Sequence, residues 1–429
     1  PNMVCPYICP RVRWLFAGQS QWLDGIAKSL GYQSVHHYAV IIDAGSSGSR
    51  VLAYRFRVPF TVFGQPNLDL VEEYFEQSKP GLSSFADAPE KGAETIVQLI
   101  KKSEFLIPAE KRKATPLIVR ATAGLRLLPK EKAQHLLDEV SKAISVLGYD
   151  VGSNGVEIMD GSDEGIFIWY TLNLLHNLMD GDTMAALDLG GGSTQITYQI
   201  SEGDGKGFPT NDLYIVPAGS NNISLYTHSY LNLGLLASRY GVFRLEAGDN
   251  NTTEFTSVCV DPIVQKEHWT YGNKQYIVSG AARHGRKREA VFSRCHALVA
   301  RYVKNTLDWE PKQAPHGSVA AMSYFYDARM TAEDVSADVM KGGTVPVSQY
   351  RAAALRACSA SNVEQPWACV DLVYVLTLLQ DAYKMRDVDP VSVSPFIRFW
   401  DDLPPSIHTV AVRKCLSVFK LDSLSLCFQ

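Results

Sequence analysis

Short apolar runs rich in β-branched residues alternate with longer amphipathic stretches over the first part of the chain. The earliest run, Tyr38-Ala39-Val40-Ile41-Ile42, ends at Asp43-Ala44-Gly45, as a buried strand does when it enters a tight turn. Arg50-Val51-Leu52-Ala53-Tyr54-Arg55-Phe56 then reads as the second strand of a hairpin. From Pro89 to Phe105 apolar residues recur at helical spacing behind a proline, and Leu117-Ile118-Val119-Arg120 is another short buried strand. A long helix is expected from about Pro129 to Leu147. Strand alternating with helix predicts an α/β lobe.

The pattern then recurs. Met184-Ala185-Ala186-Leu187 leads into Asp188-Leu189-Gly190-Gly191-Gly192-Ser193 and out through Thr194-Gln195-Ile196-Thr197-Tyr198. An apolar strand, an Asp-x-Gly turn and a second strand thus occur twice, which predicts two homologous lobes facing each other. The space between them is the expected ligand site. The first 35 residues, with Pro1, Pro6 and Pro10, carry no clean periodicity and read as an irregular arm.

Composition agrees with two lobes: 429 residues, 46% hydrophobic, are long for one compact unit. A net charge of −4 leaves no positive field for a polyanion, so nucleic acid is not an expected partner. The eight cysteines are too scattered for a zinc cluster. Cys259 with Cys295 and Cys358 with Cys369 close loops of plausible length for disulfides, leaving Cys5, Cys9, Cys415 and Cys427 near the termini to pair among themselves. An oxidising compartment follows, either the secretory-pathway lumen or the extracellular space. Glycosylation sequons at Asn222, Asn250 and Asn251 point the same way. No stretch reaches the roughly 18 to 20 apolar residues that span a bilayer. With Pro1 at its start, the chain reads as a mature or trimmed soluble form, and membrane attachment of the full gene product is left open.

The glycines of Asp43-Ala44-Gly45-Ser46-Ser47-Gly48-Ser49-Arg50 permit a turn whose backbone N–H groups, with the serine hydroxyls, can surround phosphate oxygens. An Asp at the strand end is a hard oxygen ligand for Mg²⁺ or Ca²⁺, directly or through water. Asp188 repeats the arrangement. Either turn alone could be an ordinary glycine-rich hairpin, whereas two matched copies disfavour that reading. Neither is a Walker loop or a dinucleotide fingerprint. Between them lies Asp160-Gly161-Ser162-Asp163-Glu164-Gly165, an acidic turn opening an aromatic-rich helix. Glu164 is a candidate general base, with helix capping or dipole compensation as the alternative. Arg120-Ala121-Thr122-Ala123-Gly124-Leu125-Arg126 suits phosphate or metal-water contacts, although Arg126 could equally be a surface charge.

Together these segments resemble the nucleoside triphosphate diphosphohydrolase, or apyrase, family. Asp43 to Arg50, Ala121 to Arg126, Asp160 to Asn173 and Asp188 to Gln195 carry the resemblance, supported by Lys79 to Asp87 and Tyr226 to Leu231. It implies an α/β fold of two ribonuclease-H-like (actin-like) lobes with an interlobe cleft. The expected division is an arm over 1–35, a first lobe over 36–159 and 396–429, and a second over 160–395. The resemblance further implies that Glu164 activates a water which Ser193 and Gln195 position for in-line attack on a terminal phosphorus, without a phosphoenzyme. Ser46, Ser47, Gly48, Ser49, Arg50, Thr122 and Gly190, Gly191 and Gly192 would hold the phosphates of a nucleotide substrate. Mg²⁺ or Ca²⁺ near Asp43 and Asp188, largely through water, would offset negative charge. Tyr324 and Tyr326, in the aromatic stretch Ser323 to Asp327, and Tyr383 are candidates to stack on the base, although a tyrosine in an aromatic-rich strand more often serves the core. Family members end in a Trp-x-Leu-Gly segment that approaches the metal. Here Phe399-Trp400-Asp401-Asp402-Leu403 lacks the glycine, leaving Trp400 as the counterpart. The rival readings are an exopolyphosphatase of the same fold and a nucleotide-dependent binding or chaperone switch.

Overall fold

The computed structural model describes residues 35–393, apart from 59–68, 177, 180, 202–206, 219–220, 250, 283–288, 312–313 and 331–342. Its first sheet contains β1 (Val35–Ala44), β2 (Ser49–Val58), β3 (Asp69–Ser78), β4 (Leu117–Ala121) and β5 (Val156–Ile158) in the order β3-β2-β1-β4-β5. β1, β2 and β3 run antiparallel as a meander, whereas β4 and β5 join parallel beyond β1. The parallel half needs crossovers, and helices Pro89–Ser103 and Lys130–Ser145 supply them. The first begins with Pro89 in its opening turn and buries Ala93, Ile96, Leu99, Ile100 and Ser103 at helical spacing. The second buries Ala133, Leu136, Leu137, Val140 and Ile144, and both faces close over β1, β2 and β4 in one apolar core.

β6 (Ala185–Leu189), β7 (Ser193–Gln199), β8 (Leu213–Ala218) and β9 (Asn221–Leu231) begin a second, seven-stranded sheet. β10 (Glu254–Ser257), β11 (Glu267–Tyr271) and β12 (Lys274–Gly280) form a small separate sheet. β13 (Val319–Ser323), β14 (Gly343–Pro346) and β15 (Pro390–Val393) complete the large one, in the order β14-β15-β13-β6-β7-β9-β8. Setting aside the outer strands β8 and β14, the remaining order β9-β7-β6-β13-β15 repeats the first sheet strand for strand. The directions repeat as well, with β6, β7 and β9 antiparallel and β13 and β15 parallel. The duplication expected from two Asp-x-Gly turns is therefore a duplication of whole sheets. Register carries it to single residues: Asp43 lies opposite Arg50 across the first hairpin, and Asp188 lies opposite Gln195 across the second.

Helix Gly161–Leu175 covers one face of the second sheet, burying Ile166, Trp169, Tyr170 and Leu172 against Ala186, Leu225 and Met322. The opposite face carries the larger core. Two disulfides lie there, Cys259 to Cys295 and Cys358 to Cys369, pairing as expected. Asn222 and Asn251 of the sequons are exposed, and Asn250 lies outside the described residues. Among the described residues no helix is long and apolar enough to cross a membrane. The terminal cysteines, the N-terminal arm, Trp400 and the expected return of the chain after 395 also lie outside them.

Candidate active site

The two glycine-rich turns leave the equivalent ends of the paired central strands and meet. A Cβ placed on Gly191 would come within 2.6 Å of Ser46 Oγ, so only glycine allows the second turn this close to the first. The carbonyls of Gly190, Gly191 and Gly192 accept N–H groups from Leu235, Ala237 and Asn232 at 2.9, 3.0 and 3.0 Å. Satisfying the carbonyls within the second lobe is what a turn requires if its N–H groups are to be offered to an anion. Thr122 follows β4 and precedes the short helix Ala123–Arg126, with its N–H on the Ala44 carbonyl beside the first turn.

That short helix carries Arg126 across to the second lobe. Its Nη2 donates to Glu164 Oε2 at 2.5 Å and to Ser193 Oγ at 3.3 Å, while Nη1 donates to Ser229 Oγ at 3.3 Å. Gln195 Nε2 serves the same acceptors, reaching Glu164 Oε2 at 3.0 Å, Ser193 Oγ at 2.8 Å and Ser229 Oγ at 2.9 Å. Ser193 and Gln195 share a face of β7 because they are two apart in a strand. Gln195 Oε1 is buried and accepts no hydrogen bond from a described residue, leaving an acceptor suited to a water. Asp160 caps helix Gly161–Leu175, accepting the Ser162 N–H at 2.8 Å. Capping is therefore the work of Asp160, and the Glu164 carboxylate is turned to the cluster instead.

The helix reaches this position through glycine. A Cβ on Gly165 would lie 2.5 Å from Thr227 Oγ1 and 2.6 Å from Thr197 Oγ1, so the first turn of the helix rests directly on β7 and β9. The spacing of Glu164 and Gly165 in the sequence thus sets the height of the carboxylate above the sheet.

Burial pushes the Glu164 carboxyl up to about 8; Asp188 and Asp43 add to the rise, and Arg126 opposes it. Its side chain is 17% exposed, enclosed but open to the cleft. Asp188 is also raised, mainly by burial and secondarily by Asp43, against a hydrogen bond from Ser323 and the charge of Arg50. Asp43 is raised by burial, with Arg50 opposing at 2.9 Å. Three carboxylates from β1, β6 and the helix thus share one field with too little positive charge to balance them. Their oxygen donors fit a hard divalent cation. Among the described residues no group of three or more His, Cys, Asp or Glu side chains forms a closed metal cage.

Not every expected residue faces the cleft. Ser49 is 1% exposed at the start of β2, and the Arg50 guanidinium is taken by Asp43. Tyr383 cannot stack on a base here: it is fully buried, and its hydroxyl shares a 2.8 Å hydrogen bond with Thr194. Thr194 in turn donates to the Asp188 carbonyl at 2.6 Å, so Tyr383 braces the second turn from within the core. Tyr324 and Tyr326 belong to helix Tyr324–Met330 rather than to a strand, which places them on opposite sides of it. Ser229 and Ser323 were not singled out in the sequence. A serine in the Tyr226 to Leu231 segment on the same strand face as Thr227 was the only signal for the first.

Residues 30–396 match the GDA1/CD39 (nucleoside phosphatase) family. The chain is 36% identical over 393 residues to the nucleoside diphosphate phosphatase ENTPD5 of Homo sapiens, covering 86% of each chain. It is 29% identical over 410 residues to the nucleoside-diphosphatase uda-1 of Caenorhabditis elegans, covering 88% of this chain and 82% of that one. Among solved structures, a nucleoside triphosphate hydrolase from Neospora caninum superposes with a TM-score of 0.58 at 14% identity, covering 90% of this chain and 92% of that one. That likeness supports the two-lobed actin-like fold. With matching sheets, matching turns and a family match spanning most of its length, the chain belongs to the GDA1/CD39 (nucleoside phosphatase) family.

Proposed function

We propose that this protein hydrolyses the terminal phosphate of nucleoside diphosphates, and of triphosphates by the same chemistry, with water as the nucleophile and no phosphoenzyme. The observation that carries the reading is Glu164, a carboxylate with a raised pKa held by Gln195 and Arg126 beside two opposed phosphate turns. A base with a pKa near the working pH is best matched to proton transfer. Ser193 and Gln195 hold the water, and Glu164 takes its proton as the new P–O bond forms and the bridging P–O bond breaks. The shortened nucleotide leaves with the bridging oxygen, and Glu164 returns the proton to solvent. Backbone N–H groups of both turns, with Ser46, Ser47 and Thr122, bind the phosphate oxygens. Asp43 and Asp188 would hold Mg²⁺ or Ca²⁺, which would supply charge compensation for those oxygens.

The diphosphate preference is supported by the names of the human and nematode relatives. Tyr324 and Tyr326 are both half-buried and both stay candidates for the base. Two disulfides and the exposed sequon residues support a secretory-lumen or extracellular location.

Phosphate release from ADP, UDP, GDP and ATP, each with and without chelator, tests the reading in the wild-type protein and in Glu164→Gln. Cation-dependent turnover lost in the variant is expected. Full turnover in Glu164→Gln would exclude the base assignment. Cleavage of long polyphosphate with indifference to nucleotides would favour an exopolyphosphatase, and tight nucleotide binding without turnover would favour a switch.

A further inference from the structure

Five strands repeat between the two large sheets, so residues of the central hairpins have counterparts, and at one position they differ in a way that bears on the cation. Asp43 and Asp188 are counterparts, and so are the residues opposite them across each hairpin, Arg50 and Gln195. In the first lobe the opposite residue serves the aspartate: Arg50 Nη1 donates to Asp43 Oδ2 at 2.9 Å. In the second lobe it does not, because the Gln195 amide is turned to Glu164, Ser193 and Ser229.

Asp188 takes its support from the other neighbouring strand. Ser323, the last residue of β13, donates from Oγ to Asp188 Oδ1 at 2.6 Å. Ser323 pairs with Leu189 in the ladder, one step beyond Asp188, so an extended residue there would not by register alone face the carboxylate. Its backbone leaves the extended region instead, with φ of 58°, a conformation uncommon for residues other than glycine and concentrated at functional sites. The chain turns there from β13 into helix Tyr324–Met330.

We infer that Ser323 is a positioning residue for the divalent cation: its strained backbone aims a neutral donor at one oxygen of Asp188 and leaves the other for the ion. The chemistry differs from that in the first lobe. Arg50 donates directly to Asp43, whereas its charge reaches Asp188 only at longer range and the direct partner of Asp188 is a neutral hydroxyl. Outer contacts of this kind set the orientation of the ligating group and with it the affinity for the metal.

This inference rests on the proposal that Asp188 holds the cation, and the experiment separates the two. Mg²⁺ alone, without nucleotide, is titrated against the wild-type protein, Ser323→Ala, Ser323→Gly and Asp188→Asn, with the shift in Tm as readout. Glycine accepts the φ of 58° without strain, so Ser323→Gly removes the hydroxyl while relaxing the backbone. Both Ser323 variants are expected to raise the half-saturating Mg²⁺ by about 10- to 100-fold, the range typical of lost outer-shell partners. The metal-free Tm of Ser323→Ala, which keeps the backbone strain, should stay close to wild type, which a merely structural role would not allow, whereas Ser323→Gly should rise by the strain it relieves. In turnover assays the activating Mg²⁺ concentration should rise while kcat at saturating Mg²⁺ changes less. Wild-type half-saturation in both Ser323 variants, with Asp188→Asn weakened, would overturn the role of Ser323 alone. A shift confined to Ser323→Ala would trace to backbone strain and overturn it too. Unchanged binding in Asp188→Asn would remove the cation assignment and this inference with it.

Discussion

Arg126 and Glu164 meet at 2.5 Å although they come from different lobes, the first in the short helix after β4 and the second in the helix that covers the second sheet. Both side chains are largely enclosed, at 16% and 17% exposure. The candidate base is thus held by a charge from the facing lobe, so its proton affinity and the relative placement of the lobes are linked.

Glu164→Gln keeps the shape of the side chain and a hydrogen-bonding partner for Gln195 while removing the base. We expect kcat to fall by about 10²- to 10⁴-fold, the usual worth of a general base, with KM near wild type. Steady-state release of phosphate from a nucleoside diphosphate measures both.

Arg126 lowers the pKa of Glu164, against the larger effect of burial. In Arg126→Ala the carboxyl should rise further, and the acid limb of kcat/KM should move to higher pH. Arg126→Lys should move it less. A pH–rate profile of each variant decides; an unmoved limb would break the link between Arg126 and the base.

The wild-type profile follows from the same sign. A base works only when deprotonated, so below about 8 the active fraction should fall about tenfold per pH unit at limiting cation. Raising the cation concentration should draw the limb to lower pH, because positive charge near Asp43 and Asp188 favours the ionised Glu164. Stability has the opposite trend. The folded protein holds this proton more tightly than the unfolded chain, so the contribution is full below the unfolded value of 4.5 and is lost as pH rises to about 8. Cation-free Tm measured from pH 5 to 8 should show the decline, and Glu164→Gln should flatten it.

Gly165→Ala should damage both fold and activity, since its methyl group would meet Thr227 Oγ1 at 2.5 Å and Thr197 Oγ1 at 2.6 Å. Overpacking of this kind costs about 1 to 3 kcal/mol. The displaced helix would also carry Glu164 away from Gln195. Urea unfolding gives the first quantity and kcat the second.

Replacing Cys358 and Cys369 with serine opens a loop with a sequence separation of 11, and the Cys259 and Cys295 pair one of 36. The loop-entropy relation puts these at about 3 and 4 kcal/mol of stability. Thermal unfolding of each double variant, with the wild-type protein in reductant alongside, should show the larger loss for the longer loop.

Much of the architecture was legible because it is local. An apolar run ending in Asp-x-Gly is a strand entering a turn, as in β1 and β6, and β2, β4 and β7 lie where the neighbouring strand-like runs fall. The disulfide pairs were legible from loop length. Helix Tyr324–Met330 was not, since an aromatic stretch following a strand has no periodicity long enough to distinguish helix from strand. Tyr383 stayed open between base and core for a related reason: hydrophobicity marks a ring as a candidate for either, and only its burial against Thr194 assigns it to the core.

By itself the sequence determined that two glycine-rich turns stand on equivalent strands with acidic ends, and that a carboxylate sits in the first turn of the intervening helix. Those features are written in residues a few positions apart, within reach of backbone geometry. Tertiary structure alone decided what Glu164 and Asp188 face. Arg126 finds Ser229 103 residues away, and Ser323 finds Asp188 135 residues away. Contacts at that distance depend on two sheets closing against each other and on a single serine held in a left-handed conformation, and no local pattern encodes either.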